Sequence, residues 1–188
     1  LSAGGSLQWF RNKLCAEEVE LSKKTGVDPY TYITSSAEKV APGSAGLIFL
    51  PYLSGERTPH KDPYARGAFI GLSLMHSKAE MARAILEGVA FGMKDSVEIM
   101  KGMGIPINQI RISGGGARSP LWRQIIADVC NIPIVTINID EGPAYGAGLL
   151  ASISAGMFKS LSEACESVIK EIDYTNPISQ NVEEYKFW

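Results

Sequence analysis

The chain has 188 residues, 45% of them hydrophobic, which is enough apolar material for the core of one ordinary domain. Its 18 Lys and Arg residues nearly balance 20 Asp and Glu residues without forming a basic block, so we expect no nucleic-acid partner and no membrane partner. Three widely spaced cysteines, only two histidines and the lack of an apolar run of about 18 residues predict reduced thiols, no metal site and a cytoplasmic protein.

The first part of the chain is predicted to hold two helices and then two strands. Leu7, Phe10 and Leu14 would share one face of the first helix, and a polar connection follows it. The predicted elements are residues 5–14, 29–40, 47–50 and 67–72. The two strands enclose a long loop rich in proline, glycine and charge, and loops of that length are more often functional than idle.

The next element is a long helix that begins after Ser77 and ends at Gly102. Ser77 and Glu80 have the spacing of a capping box, in which each residue satisfies a free N–H group of the other. Apolar residues then recur at helical spacing, namely Met81, Ile85, Val89, Met93, Val97 and Met100. Because the methionines share their stripe with Ile and Val, we interpret the stripe as core packing rather than a ligand site.

The remaining pattern alternates strand and helix. The predicted elements are strand 109–113, helix 120–130, strand 134–137, helix 143–155 and a last helix from Ser160, which forms a second capping box with Glu163. Such βαβα units have parallel strands and right-handed crossovers, and their ligands lie beyond the carboxyl ends of the strands. We therefore predict an α/β fold.

The two ends suggest a piece of a longer protein. The chain begins at Leu1 rather than at Met, and residues Tyr185 to Trp188 look like the entry to a further helix. We therefore expect additional polypeptide outside these 188 residues.

Three consecutive glycines, Gly114 to Gly116, follow the first strand of the βαβα unit, and Ser119 and Pro120 are typical of a helix start. Glycine lets the backbone approach a ligand, and a helix N-terminus offers free N–H groups and partial positive charge, so the stretch could cradle an anion or a nucleotide. A tight turn without a ligand is the alternative. Ser119 stands where a dinucleotide fingerprint has its third glycine, and the Lys-Ser/Thr pair of a P-loop is absent.

Three stretches resemble the carboxyl-terminal half of the FGGY family of carbohydrate kinases, and most closely its xylulokinases: SGGGARSPLWRQIIADV, FLPYLSGERTPHKDPYARGAFIGL and AGGSLQWF. In addition, GAFIGL, seven residues and EMARAILE reproduce a family signature over residues 67–87. The similarity spans nearly the whole chain, apart from residues 15–43.

The resemblance implies a ribonuclease H-like domain of the actin-like ATPase fold, incomplete at its amino end, with residues 1–188 as the nucleotide-side domain of a sugar kinase. It also implies ATP and Mg²⁺ as cofactors and transfer of the γ-phosphoryl group to a sugar, with D-xylulose as the first candidate. Gluconate, ribulose and glycerol kinases are alternatives, as is a non-catalytic nucleotide-binding module. The catalytic residues, the metal carboxylate and most sugar contacts would lie in a preceding domain, so the chain alone would be inactive. A homodimer is compatible with the resemblance.

Carried over by motif, the expected nucleotide contacts are Gly4, Gln8, Gly115, Gly116, Ala117 and Ser119. The first two lie in AGGSLQW, the next three would contact phosphate or ribose, and Ser119 would line the adenosine pocket. Relatives commonly carry an Asn at or beside Ser119.

Other residues have two interpretations each. Arg118 could pair with a phosphate or be solvated. Charged residues of the long loop could face a domain cleft or form surface salt bridges, namely Glu56, Arg57, Asp62 and Arg66. Gly146 and Gly148 lower the propensity of a predicted helix, which indicates close packing more than ligand approach. His60 and His76 are assigned no chemistry.

Overall fold

The computed structural model of the chain describes residues 2–139 and 142–188. The helices are α1 Ala3–Leu14, α2 Ala16–Thr25, α3 Pro29–Glu38, α4 Lys78–Gly102, α5 Pro120–Cys130, α6 Gly142–Ser154, α7 Leu161–Val168 and α8 Ser179–Tyr185. The strands are β1 Ile48–Leu50, β2 Ala68–Ile70, β3 Ile110–Ile112, β4 Ile134–Ile137 and β5 Glu171–Thr175. Short 3₁₀ turns occupy Ser44–Gly46 and Gly115–Arg118.

The strands form two separate sheets. β1 and β2 pair antiparallel, with Phe49 opposite Phe69. The other sheet has the order β3-β4-β5, in which β3 and β4 are parallel and β5 is antiparallel to β4. The predicted parallel pairing of the βαβ unit is therefore confirmed, and α5 is its crossover helix.

Helix α4 lies at the centre of the core, in contact with β1, α1, α3 and α5. Its N-terminus carries the predicted capping box, because Ser77 Oγ accepts from the Ala79 N–H group and Glu80 Oε2 accepts from the Ser77 N–H group. Ile85 and Val89 are fully buried, as the packing interpretation requires. Met100, at the end of the stripe, is 39% exposed, so core packing does not extend that far.

The polar connection predicted after α1 is wrong, because Ala16–Thr25 forms helix α2. None of its residues is buried, so the sequence shows no apolar periodicity. The helix is instead favoured by Glu17 and Glu18 in its first turn, both of which bind Lys78 of α4, and by the left-handed C-cap Gly26.

The carboxyl-terminal part differs from the prediction in two further places. Ser160 Oγ caps α7 by accepting from the Glu163 N–H group, but Glu163 Oε2 accepts from the Lys159 N–H group rather than from Ser160, so the predicted capping box is only half formed. Helix α8 ends at Tyr185 rather than beginning there.

A buried polar cluster joins α8 to the middle of the chain. Glu87 Oε1 accepts from Arg83 Nε at 2.8 Å, from the Tyr185 hydroxyl at 2.7 Å and from the Gly43 N–H group at 3.1 Å, and Glu87 Oε2 accepts from Ser44 Oγ at 2.7 Å. Burial raises the pKa of the Tyr185 hydroxyl well above its ordinary value, and the neighbouring Glu87 charge adds to the shift. The cluster fixes the end of the chain against α4.

Candidate functional site

A cavity of about 580 Å³ opens between α1, α3 and the start of α5. Gly4 and Leu7 of α1 form one wall, and the 3₁₀ turn with Gly115 and Gly116 forms another. Ser119 lines the cavity at the point where α5 begins. Segments more than 100 residues apart in the sequence therefore meet in one concave site.

The 3₁₀ turn and the N-terminus of α5 follow one another directly. Gly114 has φ +81°, a conformation that side chains disfavour, and its carbonyl accepts from the Ala117 N–H group at 3.0 Å. Ser119 Oγ caps α5 by accepting from the Trp122 N–H group at 3.3 Å. The first amides of a helix have no partner within it, so this corner of the cavity is suited to an anion.

The structure explains two of the three consecutive glycines. Gly114 needs its positive φ, whereas a Cβ on Gly116 would lie 3.1 Å from the Trp122 ring. A Cβ on Gly115 would meet nothing within 4 Å, and the same holds for Gly4 in the first turn of α1. Neither backbone angle nor packing among the described residues explains Gly4 and Gly115, and both face the cavity.

The cavity brings together four of the six residues carried over by motif: Gly4, Gly115, Gly116 and Ser119. Arg118 also lines it. Gln8 and Ala117 do not line it: Gln8 is exposed on α1, and Ala117 is half-buried with its carbonyl accepting from Arg123 Nη1 at 2.7 Å.

Helix α3 forms a third wall that was not predicted as part of the site. The lining residues at helical spacing are Thr31, Thr34, Ser35 and Glu38. Asp28 caps the helix by accepting from the Tyr30 N–H group at 2.9 Å, and the Arg11 guanidinium of α1 lies 4.8 Å from the centre of the Tyr30 ring. The hydroxyl-rich i, i+3, i+4, i+7 pattern is visible in the sequence and could have indicated a polar wall.

The long loop between β1 and β2 contributes nothing to the lining of this cavity. Glu56 is buried, and its Oε1 accepts from the Arg57 N–H group at 2.7 Å and the Thr58 N–H group at 3.1 Å. Arg57, Asp62 and Arg66 are exposed. Glu56 therefore shapes the loop, and the charged residues around it lie at the surface.

The packing interpretation of Gly146 and Gly148 is wrong for the described part of the chain, because a Cβ on either residue would meet nothing within 4 Å. Both lie on α6, away from the cavity.

Within residues 2–139 and 142–188, no cluster of three or more His, Cys, Asp or Glu side chains could hold a metal ion. In the same ranges, none of the helices has the length and hydropathy needed to cross a bilayer. Burial raises the pKa of the Cys15 and Cys130 thiols to about 11, so both stay protonated at neutral pH.

Residues 1–155 match the sequence model of the C-terminal domain of the FGGY family of carbohydrate kinases. Over 186 residues the chain is 38% identical to a xylulose kinase of Staphylococcus epidermidis, and it is 35% identical to a gluconokinase of Bacillus subtilis. These alignments cover 99% and 98% of this chain and 36% of each relative. The chain thus spans about a third of the length of these relatives.

The fold is similar to that of a ligand-bound xylulose kinase from Lactobacillus acidophilus, with a TM-score of 0.83 and 33% identity. The superposition covers 98% of this chain and 35% of that structure. It confirms the predicted α/β domain of the actin-like ATPase fold.

Proposed function

The chain belongs to the FGGY family of carbohydrate kinases, and on that basis we propose that it forms the nucleotide-binding half of an enzyme that phosphorylates a sugar with ATP. One observation carries the proposal. Five glycines have neither a positive φ nor a neighbour within 4 Å of an added Cβ, namely Gly4, Gly102, Gly115, Gly146 and Gly148, and of these Gly4 and Gly115 line the same cavity. A ligand that fits closely against both would account for the missing side chains.

The walls of the cavity suit the parts of a nucleotide. The 3₁₀ turn Gly115–Arg118, here called the glycine turn, and the α5 N-terminus favour phosphate oxygens. Backbone N–H groups and the helix dipole both stabilise negative charge. Arg118 lies on the same side. The hydroxyls of α3 and the apolar side chains of Leu7 and Leu121 suit a ribose and a base on the other side.

In the proposed reaction this chain binds and orients ATP and helps to exclude water, which is most of what phosphoryl transfer asks of a protein. Mg²⁺ bound to ATP would neutralise charge on the phosphates. The base that deprotonates the sugar hydroxyl, the metal carboxylate and most sugar contacts belong to the preceding domain. The 188 residues alone are therefore expected to bind nucleotide without turnover.

D-xylulose is the proposed substrate, which would give D-xylulose 5-phosphate. Its support is the similarity to xylulose kinases at 38% identity and to the L. acidophilus xylulose kinase structure. Gluconate is the second candidate, because a gluconokinase is 35% identical over nearly the same residues. A panel of sugars assayed on the full-length enzyme decides between them, since a higher kcat/KM for gluconate than for D-xylulose would reject the first assignment.

Gly115→Val tests the nucleotide site. A Cβ at this position would meet nothing within 4 Å, so the melting temperature should stay near wild type while ADP affinity falls at least tenfold, or about 1.4 kcal/mol. Calorimetric titration of the 188-residue chain with ADP measures the loss.

Gly148→Val is the matched control, because Gly148 is also surrounded by open space but lies outside the cavity. Equal ADP affinity in Gly115→Val and wild type would overturn the assignment. Gly116→Val is a poorer test, since its side chain would displace the Trp122 ring and disturb packing as well as binding.

A further inference from the structure

Arg123, on the first turns of α5, connects the glycine turn to the distant strand β5. Its Nη1 donates to the Ala117 carbonyl at 2.7 Å, and its Nη2 donates to Asp173 Oδ2 at 2.8 Å. The Arg123 side chain is only 15% exposed, and Asp173 is half-exposed at 54%. The guanidinium is therefore held between two partners that are 56 residues apart in the sequence.

The contact with Ala117 is made at the carbonyl end of the glycine turn. In a helical turn the carbonyl groups point towards its carboxyl end and the N–H groups point towards its amino end. Arg123 binds the carbonyl of Ala117, which does not line the cavity, while Gly115 and Gly116 at the amino end of the turn do line it. The Trp122 ring, anchored by its Nε1–H group on the Leu86 carbonyl at 3.1 Å, packs against Gly116.

The buried position of Arg123 Nε is unfavourable for folding stability. Its Nε atom is buried and has no hydrogen-bond partner among the described residues. A buried donor without a partner typically costs about 1–3 kcal/mol. Such costs are tolerated where a residue must hold a defined geometry at a functional site.

We propose that Arg123 is a positioning residue for the nucleotide phosphates: Asp173 orients its guanidinium, and the guanidinium holds the glycine turn with its N–H groups facing the cavity. The inference rests on the proposed nucleotide site. It assigns a role in that site to β5, which lies outside residues 1–155, the part that matches the family.

The test compares ADP with adenosine on the 188-residue chain by calorimetric titration. Arg123→Ala should weaken ADP binding about tenfold, because the N–H groups of the glycine turn would no longer be held towards the phosphates. Adenosine has no phosphate, so its binding should change less than twofold. Asp173 is half-exposed, so Asp173→Asn leaves the core intact. This variant should also weaken ADP binding, but by a smaller factor. A structural defect would lower the affinity for both ligands equally.

Arg111→Ala is the matched control. Arg111 Nη2 binds Glu171 of β5 at 2.6 Å, so it is also an arginine paired with an acidic residue of β5, but its side chain has no hydrogen bond to the glycine turn within the described part of the chain. This variant should bind ADP like wild type. Unchanged ADP affinity in Arg123→Ala, or equal losses for ADP and adenosine, would overturn the inference.

Amide hydrogen exchange without nucleotide separates this inference from the proposed function. Amides 115–119 should exchange faster in Arg123→Ala than in wild type or Arg111→Ala, because the turn has lost its anchor. If wild type binds no ADP, the proposed function fails and the phosphate role fails with it, whereas the exchange rates still decide whether Arg123 positions the turn. Unchanged exchange rates of amides 115–119 in Arg123→Ala would overturn the positioning role as well.

Discussion

At the scale of single residues, Glu87 is the acceptor that ties three segments together. Its carboxylate is buried and accepts from Arg83 on its own helix, from Tyr185 of α8 and from Gly43 and Ser44 before β1. Buried charges are tolerated only when they are paired and hydrogen-bonded, and both carboxylate oxygens meet that condition here.

Tyr185→Phe should destabilise the fold by about 1–3 kcal/mol, because it removes one donor from buried Glu87 and one acceptor from Arg83. Tyr64→Phe, at a side chain that is 84% exposed, is the control and should be neutral. Urea denaturation of the three proteins at neutral pH measures the difference in the free energy of unfolding.

Tyr185 also makes the free energy of unfolding depend on pH. Because the folded-state pKa of Tyr185 is raised above the ordinary value of 10.0, its contribution is fully present below that value and is lost as pH rises above it, since only the unfolded chain ionises there readily. Urea denaturation between pH 8 and about 11 should therefore show a steeper loss of stability in wild type than in Tyr185→Phe. Parallel slopes would contradict this.

The glycine turn shows how far single residues can be interpreted from sequence. The Ser119 cap, the start of α5 at Pro120 and an anion-binding corner all follow from local chemistry, and the structure has the cap and the helix start as predicted. Which glycine serves which purpose could not be predicted. Gly116 depends on where the Trp122 ring packs, and that ring is anchored on the Leu86 carbonyl, 36 residues before Trp122.

At the scale of elements, apolar periodicity decided which helices and strands could be predicted. α4, α5 and β4 have strong patterns, and their observed bounds agree with the prediction within about one residue. α2 has no buried face, and β5 is only half-covered, so neither carries the pattern that sequence analysis depends on. Helix α3 was predicted, but its role as a cavity wall depends on contacts with α1 and α5 that no local pattern reveals.

The contact between α4 and β1 depends on one glycine. A Cβ on Gly88 would lie 2.1 Å from the Phe49 carbonyl oxygen, and Phe49 belongs to a strand that is paired with β2. Gly88→Ala should therefore destabilise the fold by about 3 kcal/mol through overpacking.

Gly102→Ala, in the last turn of the same helix, is the control. Its Cβ would meet nothing within 4 Å, and alanine has the higher helix propensity, so this change should be neutral or stabilising by up to about 1 kcal/mol. Thermal unfolding measures both variants. A melting temperature for Gly88→Ala equal to that of wild type would contradict the close packing of α4 on β1.

At the scale of the whole molecule, the cavity is a product of the tertiary fold. α1 and α3 come from the first 40 residues, the glycine turn lies near residue 115, and the central helix α4 packs against all three helices that form the walls. Sequence analysis could name the glycines and the family, because both depend on short motifs. It could not show that these segments enclose one space, since that depends on long-range packing around α4.

The central claim is that this cavity binds the nucleotide. Titration of the ¹⁵N-labelled 188-residue chain with ADP, followed residue by residue through amide NMR signals, tests it most directly. If ADP binds in the cavity, shift changes should be concentrated at Gly4, Gly115, Gly116 and Ser119 and along the cavity face of α3. No change at saturating ADP, or changes confined to α6 and α7, would contradict it.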